Sequence, residues 1–231
     1  MKHFLLIVLL TPFFSFSQGL SHADTKISDL LTIKNNLTAQ SGGAPAYDGY
    51  PYNDESFIEA TLVLNNEKAI TDVPVRINLY NNTVEYRDKK QIFMVAEVST
   101  IKEIRFDDKV YVNTLYTDEG EVHSGFFVKS LEGNPFTVLQ KEVVVFEEAV
   151  RATNSYSESK NARFVKKKDK IYIKQLDKPA QLLKSKDDLY YIFKDYARLN
   201  EVLKKNKIKL NKVDEVINLV SIINADLGES K

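Results

Sequence analysis

The sequence predicts an α+β fold: a predominantly antiparallel β meander, curled into a roll or sandwich, followed by a β-hairpin and two C-terminal amphipathic helices. Three observations predict it. Between residues 57 and 146 apolar and polar residues alternate with a period of two, the spacing at which strand side chains leave on opposite faces. The alternating runs are separated by short polar stretches, too short for the crossover of a dozen or more residues that parallel neighbours need. After Ser185 the apolar spacing changes to three and four, which is helical.

Taken in order, the chain opens MKHFLLIVLLTPFFSFSQG. Lys2 and His3 are basic, residues 4–10 are apolar, Pro12 breaks the run, and Ser15 and Ser17 are small residues before a cut ahead of Gln18. These are the parts of a secretory signal peptide, so residues 1–17 are expected to be removed and the protein to be exported, periplasmic or secreted. The apolar run falls far short of the roughly 20 residues that span a bilayer, and no later stretch supplies them. No transmembrane segment is expected after cleavage.

Residues 18–55 form a lead-in. Ile27, Leu30, Leu31 and Leu37 have the spacing of a short amphipathic helix, and SGGAPAYDGYPYND reads as a Gly/Pro/Tyr loop whose tyrosines are pinned against the core. The β domain follows at 56–150. Its turns are expected at Asn65 and Asn66, Asn81 and Asn82, Asp107 and Asp108, and the stretches 118–120 and 132–134. Pro74 belongs at a strand start or edge, since it cannot donate to a ladder. Residues 151–162 lack periodicity and read as a linker. The unit 163–231 then carries a basic hairpin turning near Lys168 and Asp169. Its first helix begins at a capping box of Ser185 and Asp188, with the stripe Leu189, Ile192, Phe193, Tyr196, Leu199 and Leu203. Its second helix carries Val213, Val216, Ile217, Val220 and Ile223.

Composition removes several chemistries. The chain has no cysteine, which excludes disulfides, thiol catalysis and Cys-based zinc sites, so burial alone must hold it together. Of the three histidines, His3 leaves with the signal, His22 lies in the lead-in and His123 follows a turn; no nucleophile elbow or phosphate loop accompanies them. Acid pairs (Asp54 with Glu55, Asp107 with Asp108, Asp118 with Glu119, Glu147 with Glu148) offer a carboxylate route to glycoside cleavage. Adjacent strand residues point to opposite faces, however, and turn acids are ordinary. TDEGEVH, residues 117–123, lacks calcium-loop spacing and reads as a hairpin turn. No catalytic residue, metal site or cofactor is therefore assigned.

Lys and Arg equal Asp and Glu in number, 32 of each. Yet residues 18–150 carry a net charge of −9 and residues 151–231 one of +8, so the two halves either dock on each other, the favoured reading, or present two faces to different partners. The basic run RFVKKKDKIYIK makes Arg163, Lys166, Lys167, Lys168, Lys170 and Tyr172 the candidate polyanion-binding residues. The structural alternative is that these lysines protect a sheet edge from pairing with other chains. Nucleic acid is not an expected partner of an exported protein; an envelope protein or an anionic glycan is.

The segments FSQ, GGAPAYDGYPYND, NLYNN, ARFVKKKDKIYIK, SKDDLYYIF and KKNKIKLNK give the chain a likeness to a known group. It resembles small exported proteins of Bacteroidota-type bacteria. The resemblance implies location and architecture and assigns no catalytic residues. The expected function is that of an exported, non-catalytic binding module for a protein or anionic glycan. The alternative is an envelope hydrolase working through a carboxylate pair.

Overall fold

In this computed structural model the described residues are 32–34, 47–152 and 159–229. The signal segment, most of the lead-in and the centre of the expected linker lie outside them. Alternation makes strands, as expected: β1 (Thr32–Lys34), β2 (Tyr47–Asp48), β3 (Ile58–Leu64), β4 (Ala69–Asn78), β5 (Thr83–Asp88), β6 (Gln91–Val95), β7 (Ile101–Arg105), β8 (Val110–Asp118), β9 (Glu121–Leu131), β10 (Phe136–Glu147), β11 (Ala162–Gln175) and β12 (Gln181–Leu182). Helices α1 (Lys186–Ile192), α2 (Leu199–Lys205) and α3 (Val213–Glu229) close the chain, so the class is α+β.

The strands form one mixed sheet in the order β1-β6-β5-β4-β3-β7-β8-β9-β10-β11-β12, with β2 parallel to the start of β11. Ala180, just before β12, turns this sheet back on itself. Its N–H donates to the Leu115 carbonyl at 2.8 Å, and its carbonyl accepts from the Thr117 N–H at 3.0 Å. Because β12 is also paired to β11, strands β8 to β12 close into a ring. Closure pairs segments of β8 and the residue before β12 that would otherwise lie open.

Three apolar cores result. Leu62, Val75, Ile77, Ile104, Tyr111 and Phe126 form the core of β3–β9. Phe136, Val138, Ile171 and Ile173 face the three helices. Tyr116, Phe127, Leu139, Tyr172 and Ala180 plug the ring, with Tyr116, Phe127 and Tyr172 in mutual edge-on contact at 5.1–5.6 Å between centroids. Such geometry adds about 0.5–1.5 kcal/mol per pair beyond simple burial.

Several expectations are corrected. The basic hairpin is a single 14-residue strand, β11. β10 supplies a ladder from Phe136↔Gln175 to Glu147↔Arg163, and the residues read as a turn become a bulge: Lys168 and Asp169 together oppose Glu142. The segment 151–162 consequently joins two neighbouring strands of one sheet, and a bridge between Val150 and Lys160 already pairs its ends. Within the span read as a lead-in helix, residues 32–34 are a strand on the edge of β6. The first helix is two, because the chain breaks after Ile192 to put Phe193, Tyr196 and Leu199 into the helix-facing core.

Elsewhere the local chemistry acts as read. Ser185 and Asp188 make the capping box of α1. Glu119 and Gly120 form the two-residue turn between the paired Asp118 and Glu121, both with positive φ. At the turn after β3 the left-handed residue is Glu67, not an asparagine. Pro74 lies inside β4 opposite Glu59, one residue before the ladder with β5 begins at Val75. Of the loop tyrosines, Tyr52 is pinned: the Arg76 guanidinium stacks 3.7 Å from its ring centroid and pairs with the buried Glu85 at 2.8 Å. Tyr47 and Tyr50 stay exposed.

Candidate functional site: the basic strand and the depression beside it

The alternation of β11 decides where each basic residue points, and the bulge divides the set. Before the bulge, Arg163 and Lys167 converge on one carboxylate, Glu147 of β10, at 2.8 and 2.7 Å. Hydrogen bonds from Lys167 and Arg163 hold that carboxyl below the usual range. These two pairs join the acidic and the basic halves of the chain. Lys166 donates to the Asn53 carbonyl at 3.0 Å and lies 5.8 Å from the centroid of Tyr50.

At and beyond the bulge the surroundings change. Lys168 and Lys170 border a depression of about 220 Å³ together with Asp169, Lys184, Leu210 and Asn211. Neither Lys168 nor Lys170 forms an ion pair among the described residues. Asp169 titrates above the ordinary range, because it loses hydration and because Glu142 stands near it; Lys109 and Lys166 partly offset this. Glu142 in turn accepts from the buried Tyr111 hydroxyl in a short hydrogen bond and from Lys109 at 3.3 Å. Two carboxylates thus meet at the bulge.

Tyr172 does not belong to this surface. It is fully buried inside the ring, 0% exposed, and its hydroxyl has no hydrogen-bond partner. Two residues beyond Lys170, the strand has already passed between two cores. Burial, with Asp118 and Tyr116 nearby, pushes its phenol well above the ordinary value. The neighbouring Lys141, opposite Lys170, lays its ammonium 3.5 Å from the centroid of Tyr116; burial pulls its pKa down to about 8.

The other candidates are tied up or scattered. Asp54 caps the Ser56 N–H at 2.8 Å, and Asp118 and Glu119 sit in a hairpin. His123 lies 3.8 Å from Glu121 near the surface. His22 is outside the described residues. Among the described residues no group of three or more His, Cys, Asp or Glu side chains could hold a metal ion, and no helix is long and apolar enough to cross a membrane.

Sequence reading missed Lys184, Leu210 and Asn211, which reach the depression from the β12–α1 and α2–α3 connections. It also missed the meeting of Glu142 with Asp169. No spacing signal marks either, because both depend on a bulge and on how the helices fold back. No protein-family model, no curated protein and no solved structure matches the chain.

Proposed function

We propose that this is an exported, non-catalytic envelope protein that binds an anionic glycan along β11 and at the depression beside it. One observation carries the reading: Lys168, Lys170 and Lys184 surround one hollow, whereas Arg163 and Lys167 are already engaged by Glu147. Lys168 and Lys170, which form no ion pair among the described residues, are available to an external anion, and several ammonium groups close together raise the local concentration of a polyanion. The scaffold is read as an antiparallel meander curled into a roll, which the closed ring of β8 to β12 supports.

The test is retention on an immobilised uronic-acid or sulfated polysaccharide at low and high salt. Lys168→Glu, Lys170→Glu and Lys184→Glu together should weaken retention at least about tenfold, equivalent to about 1.4 kcal/mol. The pair Arg163→Glu and Lys167→Glu should matter less. Retention of the triple variant equal to that of the parent would end the reading.

A second reading, an envelope hydrolase with a carboxylate pair, has the proximity of Glu142 and Asp169 in its favour. Two positioned carboxyls are what glycoside cleavage needs. Glu142, however, is already held by Tyr111 and Lys109. Release of reducing ends from envelope polysaccharide, abolished by Asp169→Asn, would replace binding with hydrolysis.

A further inference from the structure

On the helix side of the sheet lies a cavity of about 580 Å³, walled by Pro135, Phe136, Leu176, Ile192 and Leu227. This is within the range of roughly 300–1,000 Å³ typical of small-molecule sites, and its walls are mostly apolar, as in such sites. A narrower recess of about 100 Å³ shares Gln175 and Ile192 with it and carries Lys178 and Lys194. The two lie side by side, with apolar walls on one side and Lys178 and Lys194 on the other. Asp195 borders the apolar side and disfavours a negative group there.

Leu176 supplies an independent sign that the rim is built for contact. Its φ is +47°, in the left-handed region that side chains other than Gly and Asn avoid. The other non-glycine residues with positive φ among the described residues are Glu67, Asp72, Asn82, Lys89 and Glu119, all polar. Leu176 alone is apolar, and it is 58% exposed. The turn is fixed on both sides: its N–H donates to the Pro135 carbonyl at 2.9 Å, and the Lys178 N–H donates to the Gln175 carbonyl at 3.0 Å. A strained backbone therefore presents a large apolar side chain to solvent, at the mouth of an apolar cavity. The fold gains little burial from this arrangement. A ligand would.

We infer that this cavity binds a single-chain anionic amphiphile, a long-chain fatty acid, with its tail between Pro135, Leu176, Ile192 and Leu227 and its carboxylate at Lys178 and Lys194. The tail gains from burial at about fourfold in affinity per methylene. The head finds two ammonium groups, of which Lys178 is oriented by the Gln175 side chain at 2.9 Å. The site lies apart from the lysine-lined depression on β11, and its test uses none of the same variants.

The test is titration calorimetry of the purified full chain with dodecanoate, octanoate and dodecylammonium, each below its micelle concentration. Dodecanoate should bind on the order of 100-fold tighter than octanoate, as four further methylenes imply, and dodecylammonium should bind weakly. Leu227→Trp, which fills the cavity, should abolish binding. Lys178→Glu with Lys194→Glu should weaken dodecanoate about tenfold or more. Leu176→Gly guards against misfolding: relief of the strained φ should raise the melting temperature while affinity falls at least about fivefold. The inference is overturned by no heat with dodecanoate, by equal binding of the amine, or by a Leu176→Gly chain that is more stable and binds as tightly as the parent.

Discussion

The two ends of β11 share a strand, a partner and an alternating pattern, and they have opposite fates. Residues 162–167 run along the surface: Arg163 and Lys167 reach Glu147, and Phe164 meets Tyr47 and Phe146 in a partly exposed aromatic group at 5.1 and 4.9 Å. Residues 171–173 are buried on both faces, Ile171 and Ile173 towards the helices and Tyr172 into the ring. Between them sits the bulge, where Lys168 and Asp169 oppose one residue of β10. A strand's period tells which side chains share a face. It does not tell whether that face meets water, a helix layer or the inside of a closed ring. A bulge lets one strand serve both regimes, because it re-aims the side chains on either side of it.

The largest effect that would break this comparison is at Tyr172. Tyr172→Ala removes the ring that holds Tyr116 and Phe127 together and should destabilise the protein by about 3–5 kcal/mol, the range for large aromatics cut to alanine. Tyr172→Phe keeps the ring and deletes a buried hydroxyl without a partner, so it should leave stability equal or slightly raised. Urea unfolding of the two variants checks both. A loss in Tyr172→Phe as large as that in Tyr172→Ala would mean the hydroxyl, not the aromatic plug, matters.

Lys141, at the mouth of the ring, gives a pH signature of intermediate size. Its pKa in the folded protein is pulled down to about 8 from 10.5. Between those values the unfolded chain binds the extra proton, so stability should rise as pH increases from about 8 towards 10.5. Lys141→Met should remove that rise and stabilise the protein at neutral pH. Denaturant midpoints at pH 7 and pH 9.5, parent against variant, measure it; parallel pH dependence in both would contradict it.

The smallest effect belongs to the surface end. Glu147 has a lowered pKa, so whatever it contributes is present above the unfolded carboxylate value and fades as pH falls through the folded one. Exposed pairs of this kind contribute little. Glu147→Gln should leave the thermal midpoint unchanged, and it should strengthen retention on anionic polysaccharide by releasing Arg163 and Lys167. Unchanged retention in a stable variant would separate those two residues from the binding surface.

Much of the strand content was legible because alternation and turn chemistry are local. The turn of Glu119 and Gly120 and the capping box of Ser185 and Asp188 are cases where a few neighbouring side chains determine the backbone. The break after Ile192 was not legible: the stripe Leu189 to Leu203 has unbroken helical spacing, and only the need to place Phe193 and Tyr196 in the same core interrupts it. The candidate site was half legible. The basic residues stand out as composition, whereas Tyr172 looked like their neighbour and is buried inside the ring.

By itself the sequence determined the α+β class, most of the strand positions and the concentration of positive charge in the last third of the chain. These follow from period, propensity and count, which act within a few residues of each other. Only the tertiary structure decided that β11 runs through as one strand, that Ala180 closes a ring around Tyr172, and that Lys184 joins Lys168 and Lys170 at one hollow. Those outcomes depend on pairings between residues far apart in the chain, and such pairings are selected by the burial the whole molecule achieves rather than by any local pattern.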